Sequence, residues 1–193
     1  MKTLHLDKNG IRGLSISESF TKQDTHSVLA GVVMSNDFLI DGFVFGHATI
    51  GGDDITEQII TMYGKLNRDD ISYILLPGTI LSMYNILDID EIYEKLQIPI
   101  IAVNSQDSLG LQDTIKHHFP DNFDAKLEQY EKLGIRHTIQ LETQNEIFLR
   151  MRGCTTENCK TLLDKITLQG TTPESLHVSQ ILAKALSKTN HSQ

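Results

Sequence analysis

Polar and apolar positions change period along the chain, and each change marks an element. Residues 12–17 and residues 38–48, the latter within "FLIDGFVFGHATI", alternate as strands do, the second with glycines at its bends. Between them "SVLAGVVM" (27–34) is a continuous apolar run, the pattern of a strand buried on both faces. After "GGD" the period lengthens. In "DITEQIITMYGKL", Ile55, Ile59, Ile60 and Met62 recur at helical spacing, and Asp53 is the expected N-cap. "ISYILL" (71–76) is a buried strand stopped by Pro77-Gly78, and "PIIAV" (99–103) is another. "LDIDEIYEKLQ" between them is an amphipathic helix, with Asp88, Asp90 and Glu91 at its positive end.

The second half continues in the same way. Helices are expected over 107–118 and 122–133, and a hairpin pairs 137–142 with 146–152 across "TQN". "TTENCKTLLDKI" and "PESLHVSQILAKAL" close the chain as helices. In the last, Pro173 sits in the first turn, and Leu176, Ile181, Leu182 and Leu186 contribute to an apolar stripe. Residues 187–193, "SKTNHSQ", are expected to fray.

Three early strands joined by short turns predict antiparallel pairing, and later strands reached through helices predict parallel pairing. The fold class is therefore α/β, a mixed sheet of ribonuclease-H type with helices on both faces. One domain is expected over 1–193, with its core at about 12–187. In such sheets ligands collect at the C-terminal strand ends. Here those ends are Ser17/Glu18, Pro77/Gly78 and Asn104.

Composition narrows the chemistry. A net charge of -8 opposes broad, non-specific nucleic-acid binding, which needs a basic face, but leaves room for a local basic groove or a metal-bridged phosphate. Lys2, Lys8 and Arg12 are too sparse for a basic patch. No apolar run approaches the ~20 residues of a membrane helix, and the N-terminus carries no signal-peptide pattern, so a cytoplasmic location is expected. Cys154 and Cys159, in "CTTENC", lack a second pair or nearby histidines for zinc and read as reduced structural thiols. His117 and His118 point about 100° apart on a helix and do not share one ion; one packed and one exposed ring is expected. Arg150 and Arg152 alternate with Leu149 and Met151 and read as a solvated sheet face, with a phosphate contact as the functional alternative. Gly51-Gly52, beside a helix start, could offer backbone N–H groups to a phosphate, although a simple turn is the default.

Four stretches carry a family likeness. "HATIGGDDITEQIITM", "ILLPGTILSMYNILDIDEIYEKLQIPII", "IKHHFPD" and "ITLQGTTPESLHVSQILA" together resemble the archaeal endonuclease dU family, a relative of endonuclease V, over about Arg12 to Leu186. The resemblance implies a ribonuclease-H-like fold. It also implies cleavage, dependent on Mg²⁺ or Mn²⁺, of DNA beside deaminated bases, deoxyuridine in particular. Such chemistry needs clustered carboxylates, because Mg²⁺ generates the attacking hydroxide and takes hard oxygen ligands.

Several of the implied site positions are altered. Where the family's first strand ends Gly-Ile-Asp-Asp-Gly, this chain has Ser15, Ile16, Ser17, Glu18 and Ser19. Where the loop reads Asp-Gly-Thr-Asp, it has Gly51, Gly52, Asp53 and Asp54, and where the fourth strand ends Leu-Asp-Gly, it has Leu76, Pro77 and Gly78. His177 and Gln180 stand where an Arg and a His are usual, while Asn85 and Asp88 match. The resemblance thus leaves Glu18 and Asp54 as catalytic and metal-holding candidates. Asn85, Arg152 and Gly52 are the nucleic-acid-binding candidates, and Asp41, Asp53 and His47 could serve as replacement ligands. Two readings follow: an endonuclease with weakened or lost activity, or a non-catalytic relative that binds nucleic acid or protein through the same cleft.

Overall fold

The computed structural model describes residue 4, residues 10–106 and residues 111–190. Lys2, Lys8, the expected helix start at 107–110 and residues 191–193 lie outside the described residues.

Strands β1 (Arg12–Ser19), β2 (His26–Ser35) and β3 (Ile40–Thr49) are followed by helix α1 (Ile55–Leu66) and β4 (Ile71–Leu76). A small hairpin, β5 (Ile80–Leu81) and β6 (Asn85–Ile86), leads to α2 (Ile89–Leu96) and β7 (Ile100–Asn104). Helix α3 (Leu111–His118), a short 3₁₀ turn (Pro120–Asn122) and α4 (Phe123–Lys132) come next. Then β8 (His137–Gln140), β9 (Glu146–Arg152), α5 (Thr156–Ile166) and α6 (Glu174–Asn190) complete the chain. The main sheet runs β3-β2-β1-β4-β7-β9-β8. The first three strands pair antiparallel, β1–β4 and β4–β7 pair parallel, and β9 returns antiparallel on β7, as the connection lengths predict. The tail expected to fray instead continues α6 as far as Asn190.

Two apolar layers sandwich the sheet. One packs Leu14, Ile16, Leu29 and Ile74 under α1 and α2 through Ile55, Ile59, Met62 and Ile92. The other packs Leu75, Ile101 and Leu149 under α5 and α6 through Leu162, Leu163 and Leu176. Strand alternation in β1 sends Leu14 and Ile16 to the first layer and the small residues Gly13, Ser15 and Ser17 to the second. That small-residue face admits α6. Ser15 Oγ donates to Ser175 Oγ at 2.7 Å, and Ser17 Oγ lies 2.6 Å from Ser179 Oγ. The spacing fits because one helical turn of four residues advances about 6 Å, close to the ~6.6 Å between alternate strand residues. Gly13 is the tightest point: an added Cβ would lie 2.1 Å from the Tyr73 ring. Gly13→Ala is therefore expected to lower stability by about 1–3 kcal/mol, the range for overpacking. A urea midpoint equal to the parent's would show that Tyr73 yields freely.

Candidate functional site at the C-terminal strand ends

The unusual backbone of the β5–β6 hairpin organises this end of the sheet. Ser82, Met83 and Tyr84 have φ of 44°, 57° and 67°, three successive non-glycine residues in the left-handed region. Each such residue costs roughly 1–2 kcal/mol, so the turn must be held from outside. Glu18 holds one end. The Ser82 N–H donates to both carboxylate oxygens, at 2.7 and 2.6 Å, and Ser82 Oγ donates to Oε2 at 2.5 Å. Ser27 Oγ meets the same hydroxyl at 2.5 Å, and the Ser82 carbonyl accepts from the Gly51 N–H at 2.7 Å.

Lys126 holds the other end. This side chain is buried, and its ammonium donates to the Tyr84 carbonyl at 3.0 Å, the Gly52 carbonyl at 2.6 Å and Asp53 Oδ1 at 2.6 Å. It also lies 5.3 Å from the Phe119 ring centroid. All three ammonium hydrogens are used, which is what burying a charge requires.

Asp54 and Asn85 form the third tie. Asp54 accepts from the Thr49 N–H, from Thr49 Oγ1 at 2.8 Å and from Asn85 Nδ2 at 2.7 Å. Asn85 also donates to the Thr49 carbonyl and accepts the Ile55 N–H that opens α1. Burial works to raise the Asp54 pKa, but the bonds from Thr49 and Asn85 outweigh it and hold the carboxyl below its ordinary value.

Most sequence-predicted site residues are thus committed to the fold. Asn85, expected to position substrate, is fully buried with its amide bonded within the chain. The Gly51 and Gly52 N–H groups, candidate phosphate donors, go to the Ser82 and Thr49 carbonyls. Gly52's own carbonyl is spent on Lys126. Asp53 does not cap α1; Asp54 is the N-cap residue, without a side-chain cap bond, and Asp53 pairs with Lys126. Arg152 sits opposite Ile100, four residues from the Asn104 end of β7, about 13 Å along the strands. There it pairs with Asp90 at 2.7 Å, away from the site. Arg150 is not on a solvated face either: it is buried, bonding Thr79 Oγ1 at 2.9 Å and the Gly134 carbonyl. Of the replacement ligands, Asp41 pairs with Arg12 and Arg68, and His47 points outward from β3. His117 and His118 are both exposed, with the His118 ring stacked 5.5 Å from that of Tyr84. Asp88 does cap α2 through the Glu91 N–H.

Ser17, where the resemblance implies an acid, is fully buried against α6. The Pro77 ring offers no ligand atom, and Gly51 has no side chain. Glu18 and Asp54 are held by different donors, and among the described residues no three His, Cys, Asp or Glu side chains gather where a metal could bind. Three donors already bond Asp54: the Thr49 N–H, shared between both oxygens, Thr49 Oγ1 and Asn85 Nδ2. The residues present do not fit a Mg²⁺ site.

Cavities nevertheless lie at these strand ends, as the topology predicts. One of about 370 Å³ is lined by Glu18, Phe20, Thr79, Tyr84, Asn104 and Arg136 among others. A second, of about 220 Å³, lies between Pro77, Asn104, Thr171 and Gln180. Sequence reasoning missed the left-handed turn and Lys126. The turn has no glycine or proline to announce it, and a lysine on a helix reads as solvated.

The model of the family described as Endonuclease dU matches residues 9–187. The chain belongs to the endonuclease dU family. Its relatives include a UPF0215 protein of Pyrobaculum calidifontis, 28% identical over 174 residues, covering 90% of this chain and 95% of that one. Another, from Pyrobaculum aerophilum, is 30% identical, covering 89% and 92%. This endonuclease dU member also resembles solved structures. A protein of unknown function from Archaeoglobus fulgidus matches with a TM-score of 0.76 at 24% identity, over 91% of this chain and 97% of that one. Endonuclease V of Ciona intestinalis, in complex with an inosine-containing DNA, matches with a TM-score of 0.62 at 13% identity, over 98% and 91%. Endonuclease V of Bacillus subtilis gives 0.64 at 12%, over 98% and 86%. The fold is thus endonuclease V-like and ribonuclease-H-like. Among the described residues, no helix is long and apolar enough to cross a membrane.

Two outcomes test the site. Asp54→Ala removes an acceptor from the half-buried Thr49 N–H and hydroxyl and from the buried Asn85 amide, and is expected to cost about 1–3 kcal/mol at neutral pH. Because the folded pKa of Asp54 is depressed, its contribution is present above the ordinary carboxylate range and is lost as pH falls through the folded value. Urea unfolding should therefore show the gap between parent and variant narrowing in acid; a constant gap would exclude the ionised form as its source. Ser17→Asp buries a charge against α6 and is expected to destabilise by at least ~2 kcal/mol, read from the same melts.

Proposed function

We propose that this chain keeps the fold and cleft of its nuclease family while having lost metal-dependent cleavage, and that the cleft binds nucleic acid. One observation carries the reading: the two retained carboxylates are held by separate hydrogen bonds that build the site, and among the described residues no third acidic, histidine or cysteine side chain groups with them. Glu18 accepts from Ser82, and Asp54 accepts from Thr49 and Asn85. Two carboxylates held by different donors, with no third ligand grouped beside them, do not make the clustered set of hard oxygens that Mg²⁺-assisted cleavage uses.

The cleft lining supports binding. Phe20 and Met83 are exposed at its rim, and Tyr84, Asn104 and Arg136 contribute aromatic, amide and cationic groups. An unpaired base can stack on such a surface, and this mode does not require a broad basic face. The fold likeness to a DNA-bound endonuclease V is consistent with it. The family's implied substrate, DNA containing deoxyuridine or another deaminated base, is the first ligand class to test.

The experiment incubates the protein with duplexes and single strands carrying deoxyuridine, deoxyinosine or no lesion, with Mg²⁺ or Mn²⁺ and with a chelator. Salt-sensitive binding without cutting is expected, weakened about tenfold in Phe20→Ala, the scale of one lost stacking contact. Chelator-sensitive cutting that disappears in Glu18→Ala or Asp54→Ala would overturn the reading. Absence of binding to every probe would remove its nucleic-acid half.

A further inference from the structure

The two cysteines occupy positions that a helix start brings together. Thr155 is the N-cap of α5, and its Oγ1 accepts the Asn158 N–H at 3.2 Å. Cys154 is then the residue before the cap, and Cys159 is the fourth helical residue. Side chains at those two positions pack on each other as the hydrophobic staple that sets the entry angle of a helix. Here the staple consists of two thiols, with Sγ–Sγ at 3.3 Å. Cys159 is fully buried and also lies 3.3 Å from Met151 Sδ, whereas Cys154 is partly exposed. Two alkyl side chains would provide the same packing without this reactivity.

We propose that Cys154 and Cys159 form an oxidative modification site, in which a hydroperoxide converts the dithiol into an intrachain disulfide that closes the α5 staple covalently. The partly exposed Cys154 thiolate attacks the peroxide, the O–O bond breaks, one oxygen remains as the sulfenic acid, and the other leaves as the alcohol or water with the proton the thiol gave up. Cys159 sulfur then attacks the sulfenic sulfur. The S–O bond breaks, and water leaves carrying the Cys159 proton. The dithiol loses two electrons and two protons, and the peroxide is reduced to alcohol and water. The sulfurs, already 3.3 Å apart, must close to the roughly 2.05 Å of a bond. Division of labour follows from the environment. The hydrogen bond from Cys159 lowers the Cys154 thiol against the opposing effect of burial, and the same contact together with burial raises Cys159. Cys154 is thus the attacking sulfur and Cys159 the resolving one. This inference is independent of whether the cleft binds or cuts nucleic acid.

The test treats the intact reduced protein with stoichiometric hydrogen peroxide under native conditions, then denatures it in an alkylating reagent and measures its mass. The expected product has lost one H₂, accepts no alkyl group, and recovers two alkylatable thiols after a dithiol reductant. In Cys159→Ser, Cys154 should stop at a sulfenic acid that dimedone traps, and in Cys154→Ser, Cys159 should stay reduced. The oxidised parent should melt a few degrees higher than the reduced one, a difference absent from both variants. Sulfinic or sulfonic acid at Cys154 with Cys159 still alkylatable, an intermolecular disulfide alone, or two unreacted thiols would each overturn the assignment.

Discussion

The grip of the Glu18 carboxylate on Ser82 is the interaction from which this end of the molecule follows. Three left-handed residues in succession are an expensive backbone, and such strain persists only where surrounding groups over-determine it. Glu18 takes the Ser82 N–H and hydroxyl, Lys126 takes the Tyr84 carbonyl, and Gly51 donates to the Ser82 carbonyl. Each tie comes from a different element: the end of β1, α4 and the loop before α1. The turn is therefore where three segments distant in sequence are brought into one register.

This explains why β1 ends in serine, glutamate and serine. Ser17 faces α6, Glu18 faces the hairpin, and alternation along the strand sends them to opposite layers. Both side chains have structural partners in this chain. The same reasoning revises what a family match means at Asn85 and Asp54. These residues bond to each other and to Thr49, and Asn85 also receives the first N–H of α1. Their presence is accounted for by the joint between β3, β6 and α1, so the match to the family pattern is not by itself an argument for catalysis.

Periodicity made the sheet and most helices legible. The apolar runs at 27–34 and 71–76 became central strands, and the spacing of Ile55, Ile59 and Met62 became the buried face of α1. The topology followed from connection lengths, and the cavities near Glu18 and Asn104 followed from the topology. What stayed hidden was set by tertiary contact. Nothing in "LSMYN" announces a left-handed turn, because serine, methionine and tyrosine adopt it only when held there. Arg150 read as a surface charge, and Lys126 drew no notice, because burial of a cation depends on carbonyls supplied from elsewhere in the chain: Gly134 for the one, Gly52 and Tyr84 for the other. The last turn of α6 reads as polar and frayed, yet Ser187 there is buried.

The arrangement also bears on how an acidic chain could engage a polyanion. Among the described residues, the two buried cations, Lys126 and Arg150, do not face solvent. Lys126 bonds the loop carbonyls and Asp53, and Arg150, its guanidinium 6.0 Å from the Tyr130 ring centroid, ties Thr79 beside the cleft to the Gly134 carbonyl. Their charge is paired within the fold, so in the proposed binding mode attraction for phosphate comes from groups at the cleft rim. A surface of that kind discriminates by shape and stacking more than by long-range field, since screening removes the contribution of distant charges beyond about 8–10 Å. In the proposed binding mode, the partly aromatic hollow beside the strained turn offers a surface on which the exposed ring face of an unpaired base can stack.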